Sequence, residues 1–188
     1  MSAPRPAWVF GYGSLMWHPG FATPETRPAR LHGWHRAFCI YSEHYRGTPE
    51  KPGLILGLLP GGTCRGLAHR LPRDRYDEVR RYLIHREIDH DGVYEETVRP
   101  IHLEDGRTVP ALVYLADRKH RQFAGRLPPA TAARLVRGGV GATGTNLDYV
   151  RNTLSHLAEM GLRDRVLEEL ARLAGTGAIP AGRRPSRR

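Results

Sequence analysis

The chain has few cysteines, no long apolar run and no internal repeat. Two cysteines among 188 residues, Cys39 and Cys64, are too few for a disulfide scaffold, and we expect reduced, partly buried thiols. No apolar stretch approaches the roughly 18 to 20 residues that a membrane-spanning helix needs. Residues 1–6 hold an arginine and two prolines without an apolar core, unlike a secretory signal. We therefore expect a cytoplasmic protein that does not bind membranes.

Basic residues outnumber acidic ones, and the formal net charge is +10. Four of these ten charges are arginines among the last eight residues, which leaves six spread over the rest of the chain. The sequence contains neither zinc-finger spacing nor an aromatic-rich RNA-binding strand motif. We therefore expect no nucleic-acid partner, and we interpret residues 177–188 as a disordered basic tail.

The length and the 40% hydrophobic content are sufficient for one well-packed domain. We predict a single domain over residues 8–176, preceded by a disordered segment at 1–7. Apolar patterns predict strands at 8–12, at 29–41 with a bend at Gly33, at 54–59 and 64–71 around a turn at 60–62, and in a hairpin of 93–103 and 108–115.

Helical spacing appears at 73–86, with Asp74 as N-cap, and three times after residue 128. The later helices are predicted at 130–137, at 147–160 with Asn146 or Thr145 as cap, and at 163–173. Antiparallel strand pairs with helices between and after them indicate an α+β fold, with enough strands to close a small barrel. The long polar loop at 42–53 has the length of a functional loop.

A glycine-rich bend follows the first predicted strand, in the segment Phe10-Gly11-Tyr12-Gly13-Ser14-Leu15. Gly11 and Gly13 lack a Cβ, so they can adopt positive φ and let a ligand approach the main chain. On its own, such a pattern is more often a plain strand followed by a tight turn. Neither a nucleophile elbow, which requires glycine at positions 12 and 16, nor a dinucleotide or P-loop fingerprint fits these residues.

Glu87 follows the first predicted helix, where the helix dipole disfavours a carboxylate and raises its pKa. Alternatively, Glu87 is a surface residue paired with Arg86 or His85. A third interpretation is a metal site formed by His85, Asp89 and His90, although the spacing is not His-Glu-x-x-His.

Further short motifs accompany the glycine-rich bend in a fixed order. They include Tyr82-Leu83-x-x-Arg86-Glu87, segments within 45–53, 57–58, 64–68 and 92–94, and Gly144-x-Asn146-x-x-Tyr149. Together these motifs resemble the ChaC-type γ-glutamylcyclotransferases, the branch that cleaves glutathione. The likeness covers about residues 8 to 170. It implies a small mixed, mainly antiparallel β-barrel with flanking helices, in agreement with the strand and helix pattern.

The resemblance implies that the substrate is a γ-glutamyl amide, glutathione, and that the products are 5-oxoproline and Cys-Gly. The α-amine of the glutamyl group attacks its own side-chain amide, so no cofactor is implied. Glu87 matches the catalytic glutamate of the family, which removes a proton from the substrate ammonium and returns it to the leaving nitrogen. We predict a partly buried, apolar environment that raises the pKa of Glu87.

The resemblance also assigns the substrate-binding residues. The backbone amides of Tyr12, Gly13, Ser14 and Leu15 match the glutamyl-binding loop. Tyr94 and Tyr149 align with positions near the pocket, or are core tyrosines with a hydrated hydroxyl. Arg46 is a candidate for contacting the glycine carboxylate. The charged segment 88–91 departs from the family pattern and weakens the expectation of an apolar environment for Glu87.

Two other functions remain open at this point. One is a cyclotransferase for other γ-glutamyl amines or amino acids, and the other is a non-catalytic binding protein on the same fold. Glu87 together with the intact glycine-rich bend argues against the second. The sequence makes no prediction about oligomeric state.

Overall fold

The computed structural model describes residues 5–89 and 92–175, apart from the side chain of Asp89. The predicted basic tail at 177–188 and most of the predicted disordered segment at 1–7 lie outside the described residues. Within the described residues, contacts group the chain into two compact units. The first comprises residues up to Arg36 together with Leu58–Arg121, and the second comprises Ala37–Gly57 and the residues after Arg121. The predicted single domain over 8–176 stays a prediction.

Five strands form a closed barrel in the order β1-β3-β2-β4-β5. Their bounds are β1 Trp8–Gly11, β2 Thr26–Ser42, β3 Gly53–Arg70, β4 Tyr94–Leu103 and β5 Thr108–Ala116. Strand β1 is antiparallel to β3 and parallel to β5, while β4 is antiparallel to both β2 and β5. The predicted α+β class with a mixed, mainly antiparallel barrel is confirmed.

Strands β2 and β3 are longer than the sequence pattern predicts. The predicted turn at 60–62 is wrong, because β3 continues through it as one strand of 18 residues. Gly61 and Gly62 adopt φ values of 99° and 73° within this strand, and Gly33 adopts 82° within β2. Glycine can adopt positive φ and so bend a strand without ending it. A residue with a side chain would be strained in this conformation. The hairpin between β4 and β5 is confirmed, with Tyr94 opposite Ala116.

The first helix, α1, is shorter than predicted and ends in an unusual turn. It spans Tyr76–Ile84, and a π-helical turn at His85–Asp89 follows it directly. Asp74 is not its N-cap, because Arg75 occupies that position without a side-chain capping bond. Val79 and Leu83, four residues apart on one face of α1, are buried, in agreement with the helical spacing found in the sequence.

Helix α1 packs on the barrel through one apolar cluster, here called the α1 cluster. It contains buried residues of β1, β5 and α1 together with two leucines outside these elements, and half-buried side chains that include Tyr82, Ile88 and Tyr94 pack against it. The buried members are Val9, Leu15, Leu71, Val79, Leu83, Leu112 and Tyr114. The cluster therefore joins Leu15, the last residue of the glycine-rich bend, to the helix that precedes Glu87.

The second unit contains the remaining helices and a short hairpin. Helix α2 spans Pro129–Gly138, strands β6 and β7 are Val140–Gly141 and Gly144–Thr145, and helices α3 and α4 span Asn146–Glu159 and Arg165–Ala174. Thr145 caps α3 by accepting a hydrogen bond from the Asp148 amide, which confirms one of the two predicted caps.

Both cysteines are free thiols, as predicted, and both are buried rather than partly buried. Burial raises the pKa of the Cys39 thiol to about 12, so it stays protonated and unreactive at neutral pH. No helix among the described residues is long and apolar enough to cross a membrane.

Candidate functional site

The topology of the barrel gathers the end of β1, the end of β5 and the start of β4 at one place. Val9 pairs with Leu112 in parallel, and Tyr94 opposes Ala116 in the antiparallel hairpin. Parallel neighbours end at the same edge, so the segment after Gly11 lies beside the last residues of β5. A hydrogen bond of 2.8 Å from the Tyr12 hydroxyl to the Tyr114 carbonyl fixes this arrangement.

The glycine-rich bend folds into a tight 3₁₀ turn at Ser14–Met16. The Met16 amide donates to the Gly13 carbonyl at 2.9 Å, and the His18 amide donates to the Ser14 carbonyl at 2.8 Å. The expected positive φ is not used, because φ at Gly13 is −131° and Gly11 is not among the positive-φ glycines of the described chain. A Cβ at Gly11 would lie 3.1 Å from both the Leu15 Cβ and the Met16 amide nitrogen. Close packing, rather than φ, therefore favours glycine there.

Arg36 supports this bend from beneath. Its side chain is 6% exposed, and Nε donates to the Tyr12 carbonyl at 2.5 Å while Nη2 donates to the Arg65 carbonyl at 2.7 Å. A buried guanidinium must have its N–H donors satisfied, and here main-chain carbonyls accept from it. Because Arg36 binds a carbonyl of the bend, it fixes the orientation of the adjoining peptide planes.

Glu87 lies in the π-helical turn that follows α1, a type of turn often found at functional sites. Its side chain is only 17% exposed, so it is not a surface carboxylate. Its partner is Arg86, whose Nε lies 3.0 Å from the Glu87 Oε1. Glu87 is thus paired with Arg86, as one interpretation of the sequence proposed, and it is also largely buried, as the other predicted.

Burial raises the pKa of the Glu87 carboxyl above its ordinary value, while the charge and hydrogen bond of Arg86 oppose this effect. The direction agrees with the sequence prediction. Ile88 and Tyr94 pack against the α1 cluster nearby. The surroundings of Glu87 are nevertheless less apolar than expected, because the Arg86 guanidinium lies directly against the carboxylate. A carboxyl with a raised pKa is a stronger base than an exposed one.

Arg86 also contacts the glycine-rich bend and the residues after it. Its Nη2 donates to the Ser14 Oγ at 2.9 Å, and its Nη1 donates to the His18 carbonyl at 2.6 Å and to the Pro19 carbonyl at 3.2 Å. The structure therefore connects Glu87 and Ser14, two of the predicted site residues, through one side chain.

Several tyrosines surround this arrangement. Tyr12 is buried, Tyr94 is half-buried against the α1 cluster, and Tyr114 is 1% exposed. The Tyr114 hydroxyl donates to the Glu96 Oε2 at 3.0 Å. Burial first, then Glu96 and Glu87, raise the pKa of Tyr114, so it remains a neutral phenol. The influence of Glu87 on Tyr114 places the two groups within electrostatic range of each other.

Arg46 and Tyr149, the other two predicted binding residues, lie in the second unit and contact each other. The Arg46 guanidinium carbon is 5.1 Å from the centre of the Tyr149 ring, and Phe38 packs edge-on against the same ring at 5.8 Å. Arg46 Nη1 donates to the Thr143 carbonyl at 2.7 Å and to the Thr145 carbonyl at 3.4 Å. These two bonds hold Arg46 against the β6–β7 hairpin and leave its Nε and Nη2 hydrogens to other acceptors.

The loop at 42–53 is an ordered structure of the second unit. Thr48 and Lys51 exchange backbone hydrogen bonds of 3.1 and 3.2 Å. A Cβ at Gly53 would overlap the Arg46 carbonyl, so the glycine permits a close approach of two backbone segments. Asn146 completes the packing, since its Oδ1 accepts from the Leu54 amide at 2.6 Å and its Nδ2 donates to the Leu54 carbonyl at 2.7 Å.

The metal alternative involves His85, Asp89 and His90. His90 and the side chain of Asp89 lie outside the described residues, so this alternative stays a hypothesis. In the described part of the chain, no group of three or more His, Cys, Asp and Glu side chains could hold a metal ion.

Sequence reasoning assigned no role to Arg36, Tyr114 or Glu96. Arg36 carried no distinct signal, because β2 also contains Arg27 and Arg30. Tyr114 and Glu96 carried none, since their significance depends on the register between β4 and β5, where Glu96 is opposite Tyr114.

Comparisons with known proteins bear on this geometry. The chain is 38% identical over 165 residues to the glutathione-specific gamma-glutamylcyclotransferase of Escherichia coli, covering 88% of this chain and 71% of the relative. It is 33% identical to the protein of the same name from Schizosaccharomyces pombe, covering 76% and 78%, and 30% identical to glutathione-specific gamma-glutamylcyclotransferase 1 of Mus musculus, covering 92% and 80%.

Among solved structures, a yeast gamma-glutamyl cyclotransferase specific to glutathione superposes with a TM-score of 0.80 at 23% identity. The match covers 89% of this chain and 94% of the yeast chain, and at this identity it shows a shared fold. The model of the ChaC-like protein family matches residues 7–176. That match and the identity to the Escherichia coli relative show that this chain belongs to the ChaC-like family.

Proposed function

We propose that this chain is a γ-glutamylcyclotransferase that cleaves glutathione into 5-oxoproline and Cys-Gly. Three relatives at 30 to 38% identity bear the name of a glutathione-specific enzyme with this activity. The observation that carries the proposal is the buried Glu87 carboxylate, joined through Arg86 to Ser14 of the glycine-rich bend. A base beside a loop of main-chain donors is what this reaction requires.

The reaction is a ring closure within one substrate molecule. The α-amine nitrogen forms a bond to the γ-carbonyl carbon, and the bond from that carbon to the cysteinyl nitrogen breaks. Well-oriented intramolecular reactions reach effective molarities of about 10⁵ to 10⁸ M. Since nucleophile and electrophile belong to one molecule, the proposed reaction needs no cofactor and no covalent enzyme intermediate.

In this proposal Glu87 performs both proton transfers. It accepts a proton from the substrate ammonium, because only the free amine attacks, and passes the proton to the departing nitrogen. An ammonium with a pKa of about 8 loses its proton poorly to an ordinary glutamate of about 4.3. Burial raises the pKa of Glu87 and so reduces this mismatch.

The glycine-rich bend supplies the proposed binding site for the glutamyl group. Backbone amides of Tyr12, Gly13, Ser14 and Leu15 would bind its carboxylate or the carbonyl oxygen that becomes negative during attack. Arg36 supports this role by holding the Tyr12 carbonyl. We further propose that Tyr94 contacts the substrate or orients Glu87.

Arg46 and Tyr149 are proposed contacts for the other end of glutathione. The stacked ring fixes the plane of the Arg46 guanidinium, and its remaining N–H donors would bind the glycine carboxylate. This proposal predicts that Arg46→Lys raises KM for glutathione more than KM for γ-glutamyl-alanine, which has no glycine.

The test is incubation of the purified protein with glutathione, followed by mass spectrometry of 5-oxoproline and Cys-Gly. Glu87→Gln keeps the shape of the side chain but cannot accept a proton. We expect it to lower kcat by about 10²- to 10⁴-fold while it still binds glutathione, because general acid–base catalysis contributes that much.

Glu95→Gln is the matched control, since Glu95 is an exposed glutamate at the start of β4. Its rate should equal that of the unaltered protein. Turnover of γ-glutamyl-alanine in place of glutathione would indicate another cyclotransferase specificity, and binding without 5-oxoproline would indicate a non-catalytic protein. Substantial activity of the Glu87→Gln variant would contradict the assignment of the base.

A further inference from the structure

Arg86 contacts both parts of the candidate active site. Its side chain is 18% exposed, and each of its three nitrogens has a partner. Nε faces Glu87, Nη2 donates to Ser14 in the glycine-rich bend, and Nη1 donates to the segment that follows the bend. We infer that Arg86 is a positioning residue that holds the carboxylate of the base and the substrate-binding bend in a fixed relation to each other. This inference rests on the proposed function.

The geometry requires an arginine. Nη1 also donates to the Tyr82 hydroxyl at 3.0 Å, so one planar group binds acceptors from α1, from the bend and from the π-helical turn. A guanidinium has five N–H donors in a rigid fork, whereas a lysine ammonium is a single centre on a flexible chain. Lysine could retain the ion pair with Glu87 but could not reach Ser14 at the same time.

The segment that accepts from Nη1 is itself packed closely against α1. Gly20 adopts a φ of 81°, and a Cβ at that position would overlap the Tyr82 hydroxyl. The backbone at 18–20 is therefore held in one place by glycine packing on one side and by Arg86 on the other. Loss of Arg86 would therefore remove the hydrogen bonds that hold residues 18 and 19, directly after the bend, in position.

Other polar groups also face Glu87, and the test must separate their effects from that of Arg86. Tyr114 on β5 lies within electrostatic range of Glu87, and Glu96 on β4 is bound to the Tyr114 hydroxyl. Arg80 on α1 neutralises Glu96 through an ion pair of 2.7 Å. Tyr82 and Tyr94 pack against the α1 cluster, and His85 lies two residues before Glu87 in the chain. Among the described ion pairs, Arg86 is the cation in direct contact with the base.

The experiment compares Arg86→Gln and Arg86→Lys with the unaltered protein. An opposite charge in contact with a carboxylate lowers its pKa by about 1 to 3. Arg86→Gln should move the midpoint of the acidic limb of kcat/KM upward by about one pH unit and raise KM for glutathione about tenfold. Arg86→Lys should leave that midpoint close to its original value but still raise KM, because the contact with Ser14 is lost.

Arg81→Gln is the matched control, since Arg81 is an exposed arginine on the same helix. Carbon-13 NMR titration of glutamate-labelled protein, with Glu87 assigned by its absence in Glu87→Gln, gives the carboxyl midpoint without any turnover. This readout keeps the inference testable even if glutathione is not the substrate. If circular dichroism shows that Arg86→Gln does not fold, the KM of Arg86→Lys for glutathione tests the inference instead. An unchanged Glu87 midpoint in Arg86→Gln, or an unchanged KM in Arg86→Lys, would overturn the inference.

Discussion

At the scale of single residues, the chemistry at Glu87 results from two opposing influences. Burial disfavours the charged carboxylate, and the adjacent Arg86 favours it. Burial prevails, so the pKa of Glu87 is raised and the group is a better base. A carboxyl with a raised pKa in the folded protein also reduces stability once it ionises, because the unfolded chain ionises more easily.

This linkage predicts how Glu87→Gln changes stability with pH. Below about pH 4, Glu87 is protonated in both the folded and unfolded states, so glutamine should have little effect. As pH rises through the raised pKa, the unaltered protein loses stability that the neutral glutamine retains. The difference in Tm between variant and unaltered protein should therefore be more positive at pH 8 than at pH 4 in thermal unfolding. A difference that is constant or decreases with pH would contradict the raised pKa.

At the scale of elements, side-chain hydrogen bonds join segments that are far apart in the sequence. Asn146 was predicted as a possible cap of α3, but Thr145 provides the cap, and Asn146 instead pairs with both backbone groups of Leu54. Asn146 and Leu54 are both fully buried, so these bonds have no competition from water. The Asn146 side chain thus satisfies both backbone groups of Leu54, as the backbone of a neighbouring strand would.

Asn146→Ala should be strongly destabilising for this reason. It leaves a buried amide and a buried carbonyl without partners, at a cost of about 1 to 3 kcal/mol each. We expect a loss of about 3 kcal/mol in the free energy of unfolding, measured by urea denaturation. Asn152→Ala, at an exposed position of the same helix, should change it by less than about 0.5 kcal/mol. Similar values for the two variants would show that the Leu54 bonds contribute little.

At the scale of the whole molecule, barrel closure brings the candidate site together. The parallel pairing of β1 with β5 closes the sheet and places the glycine-rich bend beside Tyr114. The α1 cluster then attaches the helix that leads into Glu87. Folding stability and the geometry of the site therefore depend on the same apolar contacts.

Leu83→Ala tests this dependence. Leu83 has no exposed surface and lies within the α1 cluster, so truncation should leave a cavity and cost about 3 kcal/mol. The urea midpoint should fall while the slope stays constant. Val98→Ala is the control, since Val98 is 50% exposed on β4 and should cost less than about 0.5 kcal/mol. A change at Leu83 as small as that at Val98 would show that α1 is not held by this cluster.

The sequence by itself determined the features that depend on neighbours along the chain. The turn between β4 and β5, the apolar faces of the helices and the cap at Thr145 all follow from local spacing and side-chain chemistry. Family motifs identified Glu87 and the glycine-rich bend. Where local signals were ambiguous, as at Gly61 and Gly62, the sequence predicted a turn and the barrel has a continuous strand.

Only the tertiary structure decided which distant residues meet. Ser14 and Arg86 are 72 positions apart, and their pairing leaves no periodic signal in the sequence, because the hydrogen bond forms only after the barrel has closed. The same holds for Arg36 beneath Tyr12 and for Asn146 against Leu54. Local preferences are set by the nearest peptide units, whereas burial, and with it the pKa of Glu87, arises only from the packing of the folded chain.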